Sequence, residues 1–135
     1  MLAAWAVAET LYEAKRMAVY VSNVSVDYAP MTITLYDILK QIRQALGQME
    51  KLINDDQYKG DHVSLEFGMS NVQTWMREAL TNVEDLTCNI DGYKKVEPLK
   101  MDVCDRATKL KEVTINALML VSSFANVIHL QCSEL

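Results

Sequence analysis

Residues 35–53 read LYDILKQIRQALGQMEKLI. Leu35, Ile38, Leu39, Ile42, Ala45, Leu46, Met49, Leu52 and Ile53 recur at spacings of three and four, while Asp37, Lys40, Gln41, Arg43, Gln44 and Lys51 fill the other side. That is the stripe of an amphipathic helix, because apolar side chains three and four apart share one face at 3.6 residues per turn. The same period recurs on either side. Upstream, over about 2–22, it runs through Ala4, Val7, Leu11, Ala14, Ala18 and Val21. Downstream, over about 63–87, it runs through Leu65, Met69, Val72, Met76, Ala79, Leu80, Val83 and Leu86. A last stretch, about 98–130, opens at Pro98, a residue suited to the first helical position. It carries Val103, Ala107, Leu110, Val113, Thr114, Ala117, Leu118, Val121, Phe124, Ala125 and Ile128.

The punctuation agrees. Residues 23–30 end in Pro30, 54–61 (NDDQYKGD) are polar around Gly60, and 89–97 hold the Asp91-Gly92 turn signal. Gly68 suggests a break early in the third helix, with Ser70 capping its main part. The second helix spans about 31–53. Long amphipathic helices joined by short loops are antiparallel neighbours. The expected fold is therefore all-α, an up-and-down four-helix bundle forming a single domain over 1–135.

Composition fits that reading. The chain has 135 residues, 50% of them apolar, with 4 Gly and 2 Pro, so helix breakers are few and a core of ordinary size is available. The net charge of −5 argues against broad nucleic-acid binding, which needs a basic face for phosphates. No basic region precedes the apolar start at 1–8 and Glu9 follows early, so no secretion signal is read there. Residues 113–130 are apolar but interrupted by Thr114, Asn116, Ser122, Ser123 and Asn126, which reads poorly as a membrane span.

Chemistry is hard to find in the pattern. Cys88, Cys104 and Cys132 have no metal-ligand spacing. Cys104 and Cys132 would be roughly 42 Å apart on one helix, so Cys88 with Cys104 is the one disulfide to consider. Neither His62 nor His129 completes a Glu-x-x-His pair, so no di-iron centre is expected. No Gly-rich phosphate loop and no nucleophile elbow exist. No metal, cofactor or catalytic residue is expected. The methionines on the stripes read as core filler. Trp75, one step off its stripe, reads either as lying in a helix–helix groove or as an exposed anchor for a partner. Asn23-Val24-Ser25 is a glycosylation pattern where a loop is expected.

Three strings carry more than periodicity: NVQTWMREALTN at 71–82, CNIDGY at 88–93, and VCDRATKLKEVTINALMLVSSFAN at 103–126. They resemble the plant invertase and pectin methylesterase inhibitor domain. Its pattern has a V-x-T-W…A-L-T helix, a Cys-x-D-G-[FY] turn and a final helix read here as TINALMLV at 114–121. AETLYEAKRMAVYVSNVS at 8–25 and LYDILKQIRQAL at 35–46 resemble it more weakly. The resemblance implies a four-helix bundle preceded by a helical hairpin. It implies a protein that is no enzyme, and that binds a cell-wall carbohydrate enzyme one to one over its cleft. Pectin methylesterase is the first expected partner. Acid invertase is the alternative, disfavoured because 96–100 lacks that branch's Pro-Lys-Phe string. A non-inhibitory, truncated interaction bundle is the second alternative.

The chain departs from the family pattern in lacking the N-terminal hairpin and in having no Cys at 31–34 to pair with Cys88, which also comes two residues late. It reads as a shortened or divergent member. Apolar surface that the hairpin would cover makes self-association an expectation. No membrane or nucleic acid is expected as partner, and the resemblance implies the plant cell wall or apoplast. Expected contacts, taken from the polar faces of the second and third helices, are Asp37, Gln41, Gln44, Gln73, Thr74, Arg77, Glu78 and Thr81. Acidic side chains in such a contact would make binding sensitive to an acidic wall, because protonation removes charge from a carboxylate.

Overall fold

A computed structural model describes residues 2–24, 29–54, 61–91 and 98–133; at positions 24, 29–31, 62, 87–91, 98–101 and 131–133 it describes the backbone alone. Among the described residues there are four helices and no strand: α1 (Leu2–Val24), α2 (Ala29–Asn54), α3 (His62–Asp91) and α4 (Pro98–Ser133). The fold is all-α, as the stripes predict. α1 packs on α2 and α4, and α3 packs on the same two, so the helices close into a ring.

Side-chain contacts across the seams give the directions. Thr10, Glu13 and Tyr20 of α1 meet Val113, Lys109 and Asp102 of α4 in reversed order. Gln73 and Glu66 of α3 meet Ser122 and His129 of α4 in the same reversed sense. Gln41 meets Asn82, and Leu52 meets Gly68, across α2 and α3. Each neighbouring pair is antiparallel.

The core follows the stripes, most closely in α2, where Leu35, Ile38, Leu39, Ile42, Ala45, Met49 and Leu52 are buried. Met17, Met49, Met69 and Met76 are fully buried, flexible filler between stiffer side chains. Ile53 departs from its stripe and is exposed. In α1 the true inward face is Ala3, Ala6, Val7, Thr10, Ala14, Met17 and Val21, while Ala4, Leu11 and Ala18 pack at its margin. Thr10 and Thr114 are the buried polar side chains among the described residues. The Thr10 hydroxyl donates to the Ala6 carbonyl at 2.9 Å and lies 3.2 Å from that of Val113; Thr114 donates to Leu110 at 2.6 Å. A β-branched hydroxyl bonded to the preceding turn satisfies itself and fills space as a valine does. No buried side-chain nitrogen or oxygen among the described residues lacks a partner.

Three details correct the expectations. α3 does not break at Gly68. Its N-cap is Asp61, whose carboxylate accepts from the Ser64 backbone N–H at 3.1 Å and from the Ser64 hydroxyl at 2.7 Å. That cap satisfies an otherwise orphaned amide and is worth about 1 kcal/mol. Ser70 lies within the helix, its carbonyl accepting from Thr74. Asn23 is exposed, but it belongs to the last turn of α1, and Ser25 of its pattern lies outside the described residues. α4 is a stronger apolar element than its polar interruptions suggest. Over Asp102–Leu130 it is long and apolar enough, by length and composition alone, to cross a membrane. In the bundle its stripe from Val103 to Ile128 faces the core.

Gly68 is there for close approach. A Cβ on it would sit 2.6 Å from Leu52 Cδ2 and 3.0 Å from Gln48 Nε2, whereas a Cβ on Gly47 meets nothing within 4 Å. The two glycines therefore have opposite expected responses. Gly47→Ala should stabilise by about 0.5–1 kcal/mol, because glycine in a helix interior costs backbone entropy. Gly68→Val should destabilise by about 1–3 kcal/mol, because Leu52 is buried and must leave its rotamer. Urea denaturation of both variants, read as midpoint shifts at constant slope, checks the pair.

Candidate functional site

The outer face of α2 and α3 holds most of the polar side chains expected to contact a partner. On α2, Asp37, Gln41 and Gln44 fall at i, i+4 and i+7, along the edge that faces α3. Asp37 and Gln44 are exposed. Gln41 is half-buried, and its Oε1 accepts from Asn82 Nδ2 at 2.9 Å, so it braces the seam. On α3, Thr74, Arg77, Glu78 and Thr81 form one exposed row. Glu78 stands one turn before Asn82, the α3 residue that bonds to α2. The hydroxyls of Thr74 and Thr81 donate to the carbonyls of Ser70 and Arg77 at 3.0 and 3.1 Å. Their oxygens still present lone pairs outward.

Gln73 does not join this row. It is half-buried on the opposite flank of α3, where its Nε2 donates to Ser122 Oγ on α4 at 3.4 Å. The expectation of a freely exposed side chain is corrected there, and at Gln41. Both point sideways along the helix wheel into a seam, and the seams are where an amide finds a partner. Trp75 likewise packs partly buried against the core, the groove reading and not the anchor reading. What remains outward is one cation (Arg77), two carboxylates (Asp37 and Glu78), an amide (Gln44) and the hydroxyl oxygens of Thr74 and Thr81. No two of these are held in an ion pair with one another among the described contacts.

Beside this row lies a cleft of about 550 Å³ at the α2–α3 seam, lined by Gln48, Asp61, Ser64, Phe67, Gly68 and Asn71. Phe67 is 70% exposed and Val63 79% exposed, two large apolar side chains one turn apart at the cleft edge. Sequence reasoning missed them. The available signal was their position: Val63 and Phe67 share an i, i+4 spacing off the core stripe, so an apolar pair stands where the helix should be polar.

On the opposite flank of α3, His129 pairs with Glu66 across the α3–α4 seam, exposed to water. The second histidine of the sequence, His62, has its side chain outside the described residues, as do Cys88 and Cys132. The Cys88–Cys104 pairing therefore lies outside them as well. Cys104 is half-buried against the core. No group of three or more His, Cys, Asp and Glu side chains converges among the described residues.

These features define a class of protein: a four-helix bundle with a buried apolar core and an outer α2–α3 face that combines scattered charge with exposed apolar side chains. Comparison with known proteins then gives the kinship. The chain is 29% identical over 128 residues to a pectinesterase inhibitor, "Pectinesterase inhibitor 10" of Arabidopsis thaliana, across 87% of this chain and 38% of that protein. It is 33% identical over 98 residues to a "21 kDa protein" of Daucus carota, across 67% of this chain and 48% of that protein. The chain thus spans less than half the length of these curated relatives. No family model matches it, and no solved structure does. The resemblance to the plant invertase and pectin methylesterase inhibitor family agrees with the first of these relatives. The relative whose name states a role is an inhibitor, not an enzyme.

Proposed function

We propose that this chain is a proteinaceous inhibitor of pectin methylesterase, acting in the plant cell wall by covering the enzyme's substrate cleft in a one-to-one complex. The similarity to an Arabidopsis pectinesterase inhibitor over 87% of the chain carries this reading. The bundle contributes a rigid face. Contact is made by the outer surface of α2 and α3, with Asp37, Gln44, Thr74, Arg77, Glu78 and Thr81 as polar contacts. Gln41 and Gln73 hold the flanking helices in register behind them. Val63 and Phe67 supply the apolar anchor, since exposed aromatic side chains carry a large share of binding energy in such interfaces. A standard interface removes about 800 Å² from each partner, an area that one helix pair presents. No reaction step is required of the inhibitor itself: excluding pectin from the cleft suffices.

The test is direct. Purified protein mixed with a plant pectin methylesterase should lower the rate of demethylation in a saturable, one-to-one manner. A parallel assay uses acid invertase and sucrose. Inhibition of invertase alone moves the target to that enzyme. Inhibition of neither at micromolar protein overturns the inhibitor reading in favour of a non-inhibitory bundle.

A further inference from the structure

The side of the bundle turned away from α3 carries a second apolar feature that the inhibitor reading does not use. On the outer face of α1, Leu2, Trp5, Tyr12 and Val19 are 63%, 59%, 60% and 61% exposed. Ala8 lies exposed among them. Trp5, Tyr12 and Val19 are spaced seven apart. A seven-residue step drifts only about 20° around a straight helix, so the three stand in one line roughly 21 Å long. Met119 of the neighbouring α4, close to the level of Trp5 in the register fixed by Thr10 and Val113, is 64% exposed and widens the area. A Trp and a Tyr held at that exposure, in a row with the coiled-coil period, form a seam without a partner in the monomer.

We propose that this seam pairs with the same seam of a second copy, antiparallel, about a two-fold axis at Tyr12. The charge pattern selects that arrangement. Reversing the helix about Tyr12 sets Trp5 of each copy against Val19 of the other. It also sets Glu9 of each copy near Arg16 of the other, because both lie on the same edge of the stripe on either side of Tyr12. Within one chain Glu9 and Arg16 are two turns apart, about 10 Å, too far to pair. Across the two-fold they make two equivalent opposite-charge contacts, as a self-complementary interface requires. Arg16 has a half-exposed side chain, 3.6 Å from Glu13 Oε1 and 5.8 Å from the Tyr12 ring centroid, so its guanidinium already lies over the seam. A parallel two-fold would instead carry that edge of one copy to the opposite flank of the interface from its equivalent, so neither Glu9–Arg16 contact would form. The dimer leaves the α2–α3 outer face uncovered, and it does not depend on the inhibitor reading.

Sedimentation equilibrium on the intact chain, from low to several hundred micromolar, should show a monomer–dimer equilibrium. Glu9→Arg and Arg16→Glu should each weaken dimerisation by about tenfold or more, through like-charge contacts. Both positions lie on the outer edge of α1, and circular dichroism should report an unchanged helix content. Mixing the two variants should restore association as a heterodimer, because both cross-contacts are then attractive. Monomer at every concentration overturns the proposal, and so does a mixture no more associated than its components. Monomeric wild type combined with loss of enzyme inhibition in Trp5→Asp also overturns it, and reassigns the seam to the target enzyme.

Discussion

Replacing Ile42 with alanine should lower the stability of the bundle by about 2–5 kcal/mol, the largest effect expected of a single truncation here. Ile42 has no solvent exposure and lies near the middle of α2, between the buried Ile38 and Ala45. Removing three carbons from such a site loses their transfer energy, and it leaves a cavity that rigid helices cannot close. A domain of this size is stable by roughly 5–15 kcal/mol, so the variant would lose a large part of the total. Chemical denaturation should show a lower midpoint with an unchanged slope, and thermal unfolding a drop on the order of 10 °C. Ile42→Val separates packing from shape: deleting one methylene should cost about 0.5–1.5 kcal/mol. Equal losses in the two variants would show that the α2 stripe is not the core. The functional consequence is indirect. The polar row of α2 keeps its place only while the buried stripe behind it holds the helix in phase.

Ile42 also shows why α2 is legible in the sequence and α1 less so. In α2 every outward position from Asp37 to Lys51 is polar or Gly47, so the apolar side has a single orientation. α1 carries large apolar side chains on its outer face as well as its inner one, with Glu9, Glu13, Lys15 and Arg16 between them. Trp5, Tyr12 and Val19 lie outside, Ala3 and Ala6 inside, and the polar Thr10 is buried. Periodicity alone then finds a helix but sets its rotation a fraction of a turn wrong, which is how Ala4, Leu11 and Ala18 come to be read as part of its stripe. Gly68 misleads for a related reason. A lone glycine in a helical pattern signals either a break or a close approach, and the second requires knowing that Leu52 lies across the seam. The polar row of the candidate site is readable as a face, but not which amides turn sideways. Gln41 and Gln73 satisfy themselves on Asn82 and Ser122, residues 41 and 49 positions away in the chain. Such long-range partners leave no local trace.

Phe67→Ala should weaken inhibition of pectin methylesterase by about 30-fold, with little change in the stability of the free protein. Two observations set the size of the effect. The ring is 70% exposed, so truncating it removes little from the core. Burying that ring under a partner would contribute roughly 2–3 kcal/mol at the usual coefficient for apolar area. The polar row offers less. Thr74 and Thr81 already spend their protons on their own helix, and exposed charges such as Arg77 and Glu78 contribute mainly to the encounter rate and its salt dependence. Thr74→Ala should therefore change the inhibition constant by less than about threefold, well below one decade of affinity. Arg77→Ala should lower the association rate at low salt and leave the dissociation rate nearly unchanged. Phe67 lies on the opposite side of the bundle from the α1 seam, so dimerisation should survive its truncation, and inhibition should survive the charge reversals on α1. A Phe67→Ala protein that inhibits as well as the parent, at equal stability, would remove the α2–α3 face from the interface. If it still dimerised through α1, the partner-binding surface would have to be sought elsewhere on the bundle.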